Sequence, residues 1–297
     1  MQGEIVFIIN PISGKRNKGS IRKEIVDAFI KERGLKARSV LTEEAKHATD
    51  IARQALKEGA ARIVSVGGDG TMNDIAKEMV GTDVPFGLVP MGSGNGLARH
   101  LQLPLRFNDA LEVAIGDQVI GIDTGEVNGY PFFNVVGFGL DAEIGRRFNE
   151  AKGRGFITYL KEGLKTIVSS RSSKYRLTLD DGCVSIDALV LAIANSSQYG
   201  SNAYIAPDAS LKDGKLNVVA IQSPGFLGTI GLFWRIFSKS IDGSRKVKAF
   251  CSERINIRLS KPGYFHADGE IFECGEEIAI VSRPKSLLMA LPSDTFA

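Results

Sequence analysis

The chain has 297 residues, 43% of them hydrophobic and 24% charged, an ordinary globular composition with enough length for one large domain or two. Its formal net charge of +3 suits an anionic ligand or a membrane surface, but it is too small and too scattered to support nucleic-acid binding, and that class of partner is set aside. No run reaches the ~18 apolar residues of a membrane span, and Met1-Gln-Gly-Glu-Ile5 enters a strand pattern without a basic segment and apolar leader, so a cytosolic protein is expected.

Along the chain, strand and helix patterns first alternate. Strands are expected at Ile5 to Ile9, Ala37 to Leu41, Arg62 to Val66 and Pro85 to Val89. Between them lie helices at about Ser20 to Arg33, His47 to Glu58 and Met72 to Met79. Strands separated by helices of this length form parallel units, hence a doubly wound sheet whose ligands sit at the carboxyl ends of the strands. Three glycine-rich loops fall there: Asn10-Pro-Ile-Ser-Gly14, Gly67 to Thr71, and Met91-Gly-Ser-Gly-Asn-Gly96. From about Val119 the pattern changes to alternating strands: Val119 to Val127, Tyr175 to Asp180, Val184 to Ala194, Leu216 to Ile221 and Arg254 to Leu259. Amphipathic helices interrupt them at Phe156 to Ser169 and Gly225 to Ser238. The expected fold is α/β: a Rossmann-like doubly wound N-terminal domain over residues 1–120, with 286–297 returning to it, and a second, mostly antiparallel β-sandwich domain over 121–285. Cys183, Cys251 and Cys274 are far apart and odd in number, which fits buried thiols in a reducing compartment rather than disulfides or a zinc site.

The glycine loops suggest phosphate chemistry, and two familiar constructions fail. Gly14-Lys-Arg-Asn-Lys-Gly19-Ser20 has the glycine spacing of a phosphate-binding P-loop but lacks its lysine before the hydroxyl residue. Gly137-Phe-Gly-Leu-Asp-Ala142 fits a loose dinucleotide pattern without the βαβ unit that should follow. What remains is a set of loops opening helices, whose free amides and positive dipole ends bind phosphate oxygens. Gly67, Gly68 and Gly70 let the backbone approach, Thr71 offers a hydroxyl, and Asp69 is placed to hold magnesium directly or through water. The plainer alternative is a glycine turn with Asp69 or Thr71 as helix N-cap.

Asn10-Pro-Ile-Ser-Gly14, Gly67-Gly-Asp-Gly-Thr71, Pro90-Met-Gly-Ser-Gly-Asn95 and Asp268-Gly-Glu270 occur in this order over almost the whole chain. Together they resemble the diacylglycerol kinase catalytic-domain family, which includes bacterial lipid kinases and sphingosine kinases. The resemblance implies ATP bound by the first domain, around Asn10, Pro11, Ser13, Gly14, Thr42, Gly67, Gly68, Asp69, Gly70, Thr71, Met72, Gly92, Ser93 and Asn95, with a membrane lipid held largely by the second. It also implies Asp268 and Glu270 at the reacting hydroxyl, and Glu270, Asp268 and Asp69 are all candidates for the base. Such chemistry needs positioning, charge neutralisation and a carboxylate to take the alcohol proton. A solvated hairpin turn is the competing account of Asp268-Gly-Glu270. The resemblance further implies a structural magnesium at Asp213 with the backbone of Ser210 and Lys215, against a plain turn. Asp141 and Asn195 fall on the expected lipid path, with a helix N-cap the alternative for Asp141.

The third loop, Gly92-Ser-Gly-Asn-Gly-Leu-Ala98, departs from many bacterial diacylglycerol kinases and looks more like the sphingosine and ceramide kinase version. In that family the loop mainly contacts nucleotide, so it leaves the lipid undecided; a sphingoid or ceramide acceptor is the second reading. A kinase acting on NAD is a third, its adenine-binding Asn-Glu pair matched only by Asn149-Glu150; a catalytically silent lipid or nucleotide binder is a fourth. The segment around Trp234, with Arg235 and Lys239, suits transient contact with a bilayer surface, which would place the protein peripherally at the inner membrane face; packing on a sheet explains the same pattern. A homodimer is compatible with all of these readings.

Overall fold

A computed structural model describes residues 3–14, 19–140, 172–223, 225–293 and 295. The chain divides into two units, one of Met1–Ile122 with Lys285–Ala297, the other Asp123–Pro284. The expected helix at Phe156 to Ser169 lies outside the described residues.

In the first unit, β1 (Ile5–Ile9), β3 (Arg62–Gly67) and β4 (Phe86–Pro90) are buried almost throughout, as strands covered on both faces must be. With β2 (Ala37–Leu41) at the edge they form a parallel sheet in the order β2-β1-β3-β4. Phe7, Ile9, Val64, Val66 and Val89 pack on one face against Val26 of α1 (Gly19–Glu32) and against Ala110, Leu111 and Ala114 of α5 (Phe107–Ile115). The alternate residues Val6, Ile8 and Ile63 are equally buried. The other helices are α2 (His47–Lys57), α3 (Asp69–Met79) and α4 (Gly96–His100). The far end of the last strand, β16 (Glu277–Ala290), pairs in parallel with β4 at Met289, and Leu291 N–H donates to the Gln118 carbonyl. Because β1, β3 and β4 are parallel, the glycine loops after them emerge on one edge.

The second unit is an antiparallel β-sandwich. One sheet runs β12 (Val247–Ser252), β11 (Leu216–Ile221), β10 (Val190–Ala194), β7 (Val135–Gly139), β14 (Gly263–Ala267) and β15 (Glu270–Cys274). In the other, the start of β16 pairs with β13 (Arg254–Leu259), then β8 (Ser173–Leu179) and β9 (Gly182–Ala188) follow. Val136, Phe138, Leu177, Leu191, Val218, Ile257 and Phe265 join in one core. On the outer face of the first sheet Ala192, Ala194 and Val219 are covered by Leu232 of α6 (Gly225–Phe237) and by Ile241 of a short 3-10 turn. A two-residue hairpin joins β5 (Val119–Val127) to β6 (Tyr130–Phe132).

Three expectations need correction. The apolar run Val184 to Ala194 is two strands, because the chain leaves one sheet at Ala188 and enters the other at Val190, with Leu189 N–H donating to the Ile221 carbonyl between them. Helix α3 begins at Asp69 rather than Met72; its N-cap is Gly68 with no side-chain cap bond, so neither Asp69 nor Thr71 caps it. Cys183 and Cys251 are exposed and Cys274 is half-buried, since alternate positions of an outer strand face solvent. Among the described residues no helix is long and apolar enough to cross a membrane.

Arg62 is only 1% exposed, and its Nη1 donates to the carbonyls of Ala114 and Gly116 at 2.9 Å each, closing the end of α5. Burial holds its pKa below the usual arginine value. Arg62→Met should leave those carbonyls without this donor and destabilise the fold by about 1–3 kcal/mol, read as a lower midpoint in chemical denaturation; an unchanged midpoint would show that α5 is capped by other means.

Candidate active site

In the first unit the three glycine loops are tied to one another by side chains. Asn10 leaves β1 with its Oδ1 accepting Ile12 N–H at 3.0 Å, while its Nδ2 donates to Thr71 Oγ1 at 2.8 Å. Ser13 Oγ accepts Gly68 N–H at 3.2 Å, so the first loop is joined to the second twice. Gly14 takes the left-handed φ of 71°, and a Cβ there would lie 2.8 Å from the Met91 carbonyl oxygen. The second loop meets the third backbone to backbone: a Cβ on Gly92 would come within 2.9 Å of Gly68 Cα.

Asp69 completes the arrangement. Its two carboxylate oxygens accept Gly96 N–H and Asn95 N–H, each at 2.8 Å. Asn95, at φ 50°, in turn accepts Gly92 N–H at 2.8 Å and donates to the Gly92 carbonyl at 2.9 Å. Desolvation pushes the Asp69 carboxyl above its usual range, opposed by the amides of Gly96 and Asn95. Beside these loops lies a cavity of about 300 Å³ lined by Asn10, Pro11, Thr42, Lys46, Gly70 and Thr71. It opens at the first turn of α3, whose amides have no intrahelical partners and favour an anion. Ser93 is exposed on the third loop. Met72 differs from its neighbours: its side chain is 1% exposed and its N–H donates to the Gly68 carbonyl, so it packs in the core and presents neither group to a ligand.

In the second unit, Asp268-Gly269 is a hairpin turn, as the plainer reading of the sequence expected, with φ of 49° and 90°. It is not merely solvated. The Asp268 carboxylate accepts the N–H groups of Phe133, Asn134 and Val135 at 2.7, 2.8 and 3.0 Å. Glu270, half-buried as the next residue after the turn, accepts the hydroxyl of Tyr130. Asn195 is fully buried; its Nδ2 donates to the carbonyls of Asp123 and Phe133 at 3.0 and 2.9 Å, which makes it a support of the same loop. Asp141 lies outside the described residues, as do Asn149 and Glu150. At the proposed ion turn, Asp213 Oδ1 accepts Lys215 N–H at 3.0 Å and Ser210 Oγ accepts Lys212 N–H at 3.2 Å. Among the described residues no three acidic, histidine or cysteine side chains cluster as a ready-made metal cage.

Sequence reasoning missed Tyr130, which touches Glu270, and Asp123, which is buried and accepts Gly214 N–H at 2.7 Å. The signal for Tyr130 was the Asn128-Gly129 pair that announces the hairpin carrying it; nothing in the sequence says which other hairpin it meets.

Residues 4–127 match the family model described as the diacylglycerol kinase catalytic domain, and residues 134–288 match the YegS C-terminal NAD kinase beta sandwich-like domain. The chain belongs to the family that joins a diacylglycerol kinase catalytic domain to a YegS-type C-terminal domain. Among its relatives, a protein named diacylglycerol kinase from Mycobacterium tuberculosis is 27% identical over 98% of this chain and 96% of its own. One named probable lipid kinase YegS from Escherichia coli is 26% identical over 95% of each. A crystal structure described as a diacylglycerol kinase from Bacillus anthracis superposes with a TM-score of 0.77 over 98% of both chains at 18% identity, a likeness of fold. Membership in this kinase family implies ATP as co-substrate.

Asp69→Ala should leave the fold intact and weaken nucleotide binding by roughly 5- to 150-fold, because the amides of Asn95 and Gly96 lose acceptors worth roughly 1–3 kcal/mol; wild-type affinity in calorimetry would show that Asp69 does not organise the loop. His100, at the end of α4, has its pKa pushed down by burial from 6.5 to about 4. A histidine whose folded pKa is depressed binds fewer protons folded than unfolded, so its contribution is intact at neutral pH and is lost as pH falls from 6.5 toward 4. His100→Gln should therefore flatten the decline of Tm across that window, and an unchanged decline would assign it to other groups.

Proposed function

We propose that this kinase transfers the γ-phosphoryl group of ATP to a hydroxyl of diacylglycerol or a related neutral lipid, with Glu270 as the base. The observation that carries the assignment is the division of labour among three carboxylates. Asp69 and Asp268 hold backbone amides with both oxygens, and Glu270 accepts from a side-chain hydroxyl instead. In the reaction the acceptor oxygen forms a bond to the γ-phosphorus, its proton passes to the Glu270 carboxylate, and the bond to the departing ADP breaks.

The first unit's loops supply the nucleotide half. The amides opening α3 and the hydroxyl of Thr71 suit phosphate oxygens, and Thr42 and Pro11 line the adjoining cavity. Magnesium would arrive with the nucleotide and neutralise charge on its phosphates. Asp69 suits a water-mediated contact, because both of its oxygens already accept an amide. A second, structural ion would be held by Asp213 and the carbonyls of Ser210 and Lys215. For the membrane, α6 packs one side on the sheet while Trp234, 69% exposed, faces outward, and exposed Lys239 lies two residues past the end of the helix, which suits transient peripheral contact with the inner leaflet.

The test is incubation with magnesium and γ-labelled ATP across micelles of diacylglycerol, monoacylglycerol, ceramide and sphingosine and, separately, NAD. Label is expected in diacylglycerol, and Glu270→Gln should lower that turnover by about 10²–10⁴. Label in NAD alone would overturn the lipid reading, and full activity of Glu270→Gln would remove Glu270 from the chemistry.

A further inference from the structure

Glu270 and Tyr130 are delivered by two turns of the same construction. Asn128-Gly129, between β5 and β6, has φ of 49° and 84°; Asp268-Gly269, between β14 and β15, has 49° and 90°. Positive φ at both central residues is the primed two-residue turn, which matches strand twist and fixes register, so the residue after each turn has a defined place. In the first hairpin that residue is Tyr130, and in the second it is Glu270.

The hairpins are cross-tied in both directions. Asp268 of the second holds the amides of Phe133, Asn134 and Val135 just after β6, and Tyr130 of the first donates its hydroxyl to Glu270 of the second. The Tyr130 ring cannot swing freely. It packs on Phe272 with centroids 4.5 Å apart at 60°, and Phe272 stacks on Phe265 at 5.2 Å. The turn before Tyr130 is itself anchored, since Asn128 donates its N–H to the Ala279 carbonyl at 2.8 Å and accepts Ala279 N–H at 2.9 Å.

We propose that Tyr130 is a positioning residue for phosphoryl transfer, its hydroxyl orienting the Glu270 carboxylate toward the acceptor alcohol and favouring its ionised form. This rests on the reading of Glu270 as the base. A donor to a carboxylate stabilises the charged state, which is the form a base needs, and the bond sets the direction in which the carboxylate faces. Among the described residues, the other titratable groups on these two hairpins are engaged or turned elsewhere. Asp268 is bound to three amides, and His266 and Glu273 lie on the opposite face of the β14–β15 hairpin from Glu270 by strand alternation. Glu126, on the opposite face of β5–β6 from Tyr130, is paired with Arg283 at 2.9 Å.

Tyr130→Phe keeps the ring on Phe272 and removes only the hydroxyl. Its Tm should stay near wild type, its kcat should fall about tenfold with the KM for ATP unchanged, and the acid limb of its kcat/KM profile should move to higher pH. Carboxylate-labelled glutamate gives a readout without turnover: the Glu270 titration midpoint should rise in the variant. In the Glu270→Gln background the second change should add nothing. If Glu270→Gln is inactive while Tyr130→Phe matches wild type in kcat, pH profile and Glu270 midpoint, the positioning role is wrong and the base assignment stands. If Glu270→Gln is active, the base assignment itself fails.

Discussion

An amide turned away from regular structure and from water needs an acceptor, and in this protein side-chain carboxylates supply it at the places where chemistry is expected. Asp69 takes the amides of Asn95 and Gly96; Asp268 takes those of Phe133, Asn134 and Val135. A carboxylate suits the task because it is an acceptor at every lone pair and its charge strengthens each bond. An amide side chain in the same place would put a donor against a donor.

The glycines make this bonding possible. A carboxylate can reach two successive amides only where the backbone comes close, and Gly68 and Gly92 allow that approach because neither carries a Cβ. In the first unit the consequence is a set of three loops joined to one another by side-chain and close backbone contacts. Such preorganisation matters for phosphoryl transfer, where the protein contributes mainly position and electrostatics. The cost is desolvation of Asp69, visible in its raised carboxyl pKa.

In the second unit the same chemistry separates two adjacent acids. Asp268 and Glu270 are two residues apart, on either side of Gly269, yet one is committed to the backbone and the other to a tyrosine hydroxyl. The strand alternation that points Glu270 toward Phe272 and Tyr130 comes from the tight turn, which allows no slack in register. A two-residue Asp-Gly turn thus serves both as a hairpin and as a clamp, and its polar character does not mean that it is merely solvated.

The order of β1 to β4 and α1 to α3 was legible in the sequence, whereas α4, α5, β6, β12, β14 and β15 were not read from it. Continuous apolar runs marked β1, β3 and β4, alternation marked β8 and β13, and glycine placement marked the three loops that close on one another, because each of these is a local consequence of chain geometry and of which faces a segment buries. The motifs also led to the residues Asn10, Asp69, Asp268 and Glu270. What local pattern could not supply was the partner of each. The division of Val184 to Ala194 between two sheets, the packing of Met72 into the core, the enclosure of Asn195 and the meeting of Tyr130 with Glu270, 140 residues apart, all depend on tertiary packing. A sequence fixes which backbone conformations and faces are favourable segment by segment, whereas the acceptor that a given amide or hydroxyl finds is settled only when distant segments pack.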